Sequence, residues 1–214
     1  MPRLRQVPKS EATPEVVAMY ERLFDERDPV AEPGTATGTP GNWWTVFALV
    51  PEVFDHATRG FGLFSSKDRL LQPRYRELGL TRSGFVQGSK FVFSQHCKAA
   101  RAAGLSEEEV AALPAWSAQS AVFDDKDRAV LAYVDGLIGN DGRVPDGVFD
   151  SLKSNFSDEE ILELTYAVAS YGMHAAICRA LQLEYDDVPD RVFEEPIPGQ
   201  GKDDERDVMS DIAR

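Results

Sequence analysis

Positive charge is scarce in this chain. Lys and Arg number 23 against 36 Asp and Glu, a net charge of −13 over 214 residues. A surface of that sign does not neutralise nucleic-acid phosphates or anionic lipid, so neither is expected as a partner. Cysteine is scarcer still. Cys97 and Cys178 are the only two, too few and too far apart for a disulfide framework or a zinc motif. Free buried thiols are expected in preference to a single bridge between them. No apolar run approaches the ~20 residues that span a bilayer. The opening "MPRLRQVPKSEATPEVV" lacks the apolar core of a signal peptide, so the expected compartment is the cytoplasm. The period-2 alternation of half-buried strands is missing throughout.

What is present is helical. With 43% hydrophobic and 28% charged residues the chain is an ordinary globular one, and the expected class is all-α. Thr13 and Pro14 open a first helix at the N-cap and N1 positions. A Pro/Gly/Thr-rich loop follows, up to Trp43. Residues 43–64 carry Trp43, Trp44, Phe47, Phe54, Phe61 and Phe64 on two short helices broken near Pro51. A helix over 73–86 ends at Gln87-Gly88, and another runs over 89–103 to Gly104. "SEEE" at Ser106 and "SDEE" at Ser157 are capping boxes, and Asp124 caps a further helix. The stretch Pro114 to Ser120 reads as loop. From residue 186 the chain turns acidic and Pro/Gly-punctuated, which predicts either a flexible tail or one packed on its own domain or on a neighbouring subunit. The expected organisation is one helical domain over 1–185 and a tail over 186–214.

Three histidines narrow the search for chemistry. At ~100° per residue, Ser89, Val92, Phe93, His96 and Ala100 share one face of the 89–103 helix. Cys97 points about a quarter-turn away, so the adjacent "HC" is not a reactive pair. A hairpin at Gly88 would bring Glu77, on the preceding helix, to His96. A carboxylate fixes the tautomer of an imidazole and tunes its pKa, which is the arrangement of a general acid–base pair. The plainer alternative is a buried His with one hydrogen bond and Glu77 paired to Arg74 or Lys90. Tyr171, His174 and Cys178 share a face of the last long helix, as a second pocket wall or as core packing. Tyr133 is equally ambiguous, and His56 reads as a surface residue. A metal site of Glu77, His96 and His174 has no support in local spacing.

The run "RELGLTRSGFVQGSKFVFSQHCKAARAAGLSEEEVAAL", with "GNWWTVFALVPEVFDHATRGFGLF" before it, resembles the carboxymuconolactone decarboxylase / alkylhydroperoxidase D-like family. The resemblance extends through "DRAVLAYVDGLIGNDGRVPDGVFDSL" and "EEILELTYAVASYGMHAAICRAL", over roughly residues 40–185. It implies an all-helical fold, a pocket near a subunit interface, a homo-oligomer of dimer, trimer or hexamer type, and no metal or cofactor. The peroxidase branch of the family places Cys-x-x-Cys ahead of the His, with a Glu before it. Those positions here are Glu77, Ser89, Val92 and His96, so both cysteines are absent. Peroxide chemistry of that kind needs a thiolate and a resolving thiol. The decarboxylase-like branch often carries an acid where this chain has Val92.

The resulting expectation is a cofactor-free lyase or isomerase acting on a small apolar carbonyl or lactone compound. His96 would move the proton and Glu77 orient it, while Ser89 or Arg82 would stabilise negative charge. Phe91, Phe93 and parts of the aromatic 43–64 segment would line the pocket, with Val92, Tyr171 and His174. The rivals are a non-catalytic ligand-binding or scaffold oligomer with a degenerate site, and a thiol peroxidase working through Cys97.

Overall fold

The computed structural model describes residues 1–184, and among these it is built of α-helices and short 3-10 turns, with no strand. The helices are α1 (Pro14–Phe24), α2 (Asn42–Phe47), α3 (Pro51–Phe64), α4 (Pro73–Val86), α5 (Lys90–Ala102), α6 (Glu107–Ala112), α7 (Asp125–Gly139), α8 (Asp146–Lys153) and α9 (Asp158–Leu181). The acidic tail falls outside the described residues. No described helix is long and apolar enough to cross a membrane.

Local chemistry sets most of the helix starts. Ser106 and Ser157 each form a complete capping box with the Glu three residues on, and Asp124 Oδ1 accepts from the Asp127 amide. Ser89 caps α5 by accepting from the Val92 amide at 3.2 Å. Thr13 occupies the N-cap of α1 but its hydroxyl makes no capping bond. Pro14, with φ preset for a helix, starts α1 without it. The stretch expected as loop after Leu113 instead holds two 3-10 turns, Leu113–Ala115 and Ser120–Val122. Pro114 is tolerated there because the first turn has no use for its missing N–H.

Helix α4 is the axis of the molecule, packed against α5, α7 and α9. Its buried residues therefore lie all round it rather than on one stripe. Arg74 pins it to α7 and α6 through Asp127 and Glu109. Gly88, at φ +67°, makes the tight turn into α5. Gly84 lets the two helices close: a Cβ there would stand 2.6 Å from the Phe93 amide nitrogen. That neighbour is backbone, so it cannot swing aside. Gly84→Ala is therefore expected to push α5 off α4 and destabilise the fold by ~1–3 kcal/mol in urea denaturation, as overpacking does. An alanine variant as stable as the parent would show that the crossing is not so tight.

Candidate active site

The α4–α5 hairpin places Glu77 against His96. His96 Nδ1 donates to Glu77 Oε2 at 2.8 Å, which leaves Nε2 as the ring nitrogen for chemistry. The Thr81 hydroxyl lies 2.7 Å from the Glu77 carbonyl oxygen and 3.1 Å from that of His96, tying the two backbones together at this level. The second Glu77 oxygen accepts from Arg76 Nε at 2.8 Å, and Arg76 Nη1 donates to the Phe64 carbonyl at 2.6 Å. Glu77 is 1% and His96 2% exposed. Burial alone would raise the Glu77 pKa; the His96 hydrogen bond and charge, with Arg76, outweigh it and hold the carboxyl below its ordinary range. The carboxylate is thus ionised and fully engaged.

Aromatic side chains close the other side. The Tyr171 ring stands edge-on to His96, with centroids 4.4 Å apart and planes at 89°. Beyond it His174 is boxed by Trp43, Phe47, Phe61 and Tyr171, at centroid distances of 6.1, 6.5, 5.1 and 5.8 Å. Its Nδ1 is buried with no hydrogen-bond partner. Burial first, and repulsion from His96 second, push its pKa down to about 4, so it is neutral at ordinary pH.

The remaining expectations divide. Arg82 forks onto Asp135 and donates to the carbonyls of Leu113 and Pro114, on the α7 side of α4. Its charge is committed there and not to a substrate oxyanion. Ser89 Oγ serves as the α5 cap. Val92 and Phe93 are buried, with Phe93 packed on Phe85 at 5.8 Å. Tyr133 shares a hydrogen bond with Thr165 at 2.6 Å, linking α7 to α9. His56 is exposed. Cys97 and Cys178 are buried and unbridged.

His96 was expected to face a pocket lined by Phe91, Phe93 and parts of the aromatic 43–64 segment, and in the single chain it is enclosed. The nearby cavity, about 330 Å³, lies on the α3–α9 side, between Leu63, Phe64, Leu71, Leu162 and Tyr166, with Arg76 in its wall. Arg76 is a partner that helical spacing does not point to. Neighbours on a helix diverge by ~100°, yet a guanidinium is long enough to reach back to the adjacent carboxylate. A salt-bridge partner one residue away therefore leaves no signal in periodicity.

His174 gives the site a measurable signature. A histidine with pKa about 4 when folded and 6.5 when unfolded binds more protons unfolded between those values. Stability is therefore complete above pH 6.5 and is lost as pH falls towards 4, by up to ~3 kcal/mol. Melting temperatures across this window should drop for the parent and drop less for His174→Phe, and parallel curves would contradict the assignment. Glu77 adds a loss of the same sign below pH 4.5, where its carboxylate is protonated on unfolding.

Residues 51–136 match the model of the carboxymuconolactone decarboxylase family. A crystal structure from Agrobacterium tumefaciens, of a protein of unknown function described as a candidate antioxidant defence protein AhpD, matches with a TM-score of 0.55. The two are 26% identical, over 69% of this chain and 96% of that one. None of the curated proteins matches. The family pattern covers the α4–α5 hairpin and its neighbours, and the fold likeness extends across nearly all of the Agrobacterium protein; over residues 51–136 the chain is similar to the carboxymuconolactone decarboxylase family.

Proposed function

We propose that the protein is an acid–base enzyme, a cofactor-free lyase or isomerase acting on a small apolar carbonyl or lactone compound. The observation that carries this is the 2.8 Å bond from Glu77 to His96 Nδ1, made in a buried aromatic setting. An ionised carboxylate on Nδ1 selects the tautomer with a free Nε2 and stabilises the imidazolium when Nε2 takes a proton. Against burial, His96 first and Arg76 second hold Glu77 in its ionised form, so the carboxylate can orient His96. Tyr171 stands against His96 and Phe61 packs on Tyr171 in turn, an apolar surround that suits an apolar substrate and excludes water. Ser89 Oγ accepts from the Val92 amide and Arg82 is paired to Asp135, so the reading rests on Glu77 and His96.

A second reading is a ligand-binding or scaffold protein with a retired site. The enclosure of His96, at 2% exposure, favours it. Antioxidant defence, the role in the description of the Agrobacterium protein, would here have to run through Cys97. That thiol is buried, and Ser89 and Val92 stand where the peroxidase branch carries its cysteine pair. Peroxide reduction that persists in Cys97→Ser would remove that thiol from consideration.

His96→Gln keeps the polar volume and removes the proton carrier. With a small panel of lactones and β-keto acids as substrates, it should lower turnover by ~10²–10⁴ while circular dichroism and the urea midpoint stay near the parent values. Glu77→Gln, which keeps a hydrogen-bonding side chain but loses the charge, should lower turnover by less. Equal activity in parent and His96→Gln would sink the acid–base mechanism and leave the binding reading.

A further inference from the structure

Arg69, in the connection between α3 and α4, is held in place but hardly used. Glu163 on α9 fixes that connection, its Oε2 accepting from the Leu70 and Leu71 amides at 3.1 and 3.0 Å. The same carboxylate meets Arg69 only at Nη1, 3.4 Å away, which is long for a charge-assisted hydrogen bond. Arg69 Nε is buried with no hydrogen-bond partner among the described residues, while the side chain as a whole stays partly exposed. A buried donor left unmatched costs free energy unless something outside the chain satisfies it.

Arg69 also lines the cavity of about 330 Å³ on the α3–α9 side, and so does Arg76. Arg76 gives Nε to Glu77 and Nη1 to the Phe64 carbonyl, which leaves Nη2 for another acceptor. Around these two guanidinium groups the wall is apolar, from Leu63, Phe64, Leu71, Leu162 and Tyr166, with Glu163 as the acid in it. Leu162 and Tyr166 are exposed by 69% and 56%, so the apolar lining runs out to the solvent.

We infer that this cavity binds a small monocarboxylate with an apolar tail. The carboxylate takes the spare N–H groups of Arg69 and Arg76, and the tail lies on Leu63, Leu162 and Tyr166. Guanidinium groups bond carboxylates with charge-assisted hydrogen bonds, shorter and about twice as strong as those to a neutral acceptor. Glu163 does not claim Arg69 for itself, because two backbone amides already meet its charge. A cationic ligand would find in this wall only that engaged carboxylate.

The volume sets the length of the tail. It lies at the small end of the range for ligand pockets. At the ~30 Å³ that a water-sized group occupies in a liquid, it holds roughly eleven non-hydrogen atoms, an acid of about eight carbons. The site meets the Glu77–His96 pair only through Arg76. The inference therefore stands whether or not that pair is catalytic.

Octanoate is the probe, with octanamide as its neutral counterpart and octylamine as a cation of the same length. Titration calorimetry on the full chain should show saturable octanoate binding, at least ~10-fold tighter than octanamide and octylamine. Arg69→Gln keeps a polar side chain but removes the charge and the Nε donor. It should weaken octanoate by ~10-fold or more and leave octanamide and the circular dichroism near the parent values. Ala167→Leu, which puts extra carbon into the lining, should weaken both ligands, with the urea midpoint as the check on folding. No octanoate binding to the parent, octanamide or octylamine binding as tightly, or octanoate binding indifferent to Arg69→Gln would each overturn the proposal.

Discussion

An ionised carboxylate, Glu77, is buried at the middle of the fold, and the surrounding structure is arranged to keep it charged. Taking such a group out of water costs several kcal/mol unless its oxygens are matched. Here one oxygen accepts from His96 and the other from Arg76. Each partner fixes a piece of backbone. His96 requires α5 to lie against α4, which Gly84 and the Gly88 turn permit and the Thr81 hydroxyl secures. Arg76, through the Phe64 carbonyl, anchors the end of α3 to the start of α4. One charge thus links three helices, and the aromatic segment comes with α3.

The same constraint separates the ionisation states of the buried groups. Glu77 is held low by its partners, while His174, boxed by aromatic rings with an unpartnered Nδ1, is also held low and is therefore neutral. His96 lies between a carboxylate held low and an imidazole that is neutral at ordinary pH, and that charge arrangement is what supports the acid–base proposal. The apolar enclosure that gives these states also limits access.

The helices were legible because their signals are local. Ser106, Ser157 and Asp124 satisfy orphan amides within one turn, and Gly88 and Gly104 end helices where L side chains would be strained. The Glu77–His96 pairing was legible as well, since a tight turn between two helices of known length fixes which faces meet. Arg82 and Ser89 show the opposite case. Their residue types suit an oxyanion site, but their true partners, Asp135, Leu113, Pro114 and the Val92 amide, follow from packing and cap geometry.

What the sequence by itself determined was the all-α class, the order of the helices, and the carboxylate–imidazole pair, all carried by spacing within about twenty residues. Tertiary structure alone decided the rest. It brought Arg76 round to Glu77, set Tyr171 and His174 of α9 against a helix some seventy residues earlier, and enclosed His96 while opening a cavity on the far side of Arg76. The physical reason is that burial and partner choice depend on which helices pack together. That is settled by the shape of the whole core, and periodicity along one helix does not carry it.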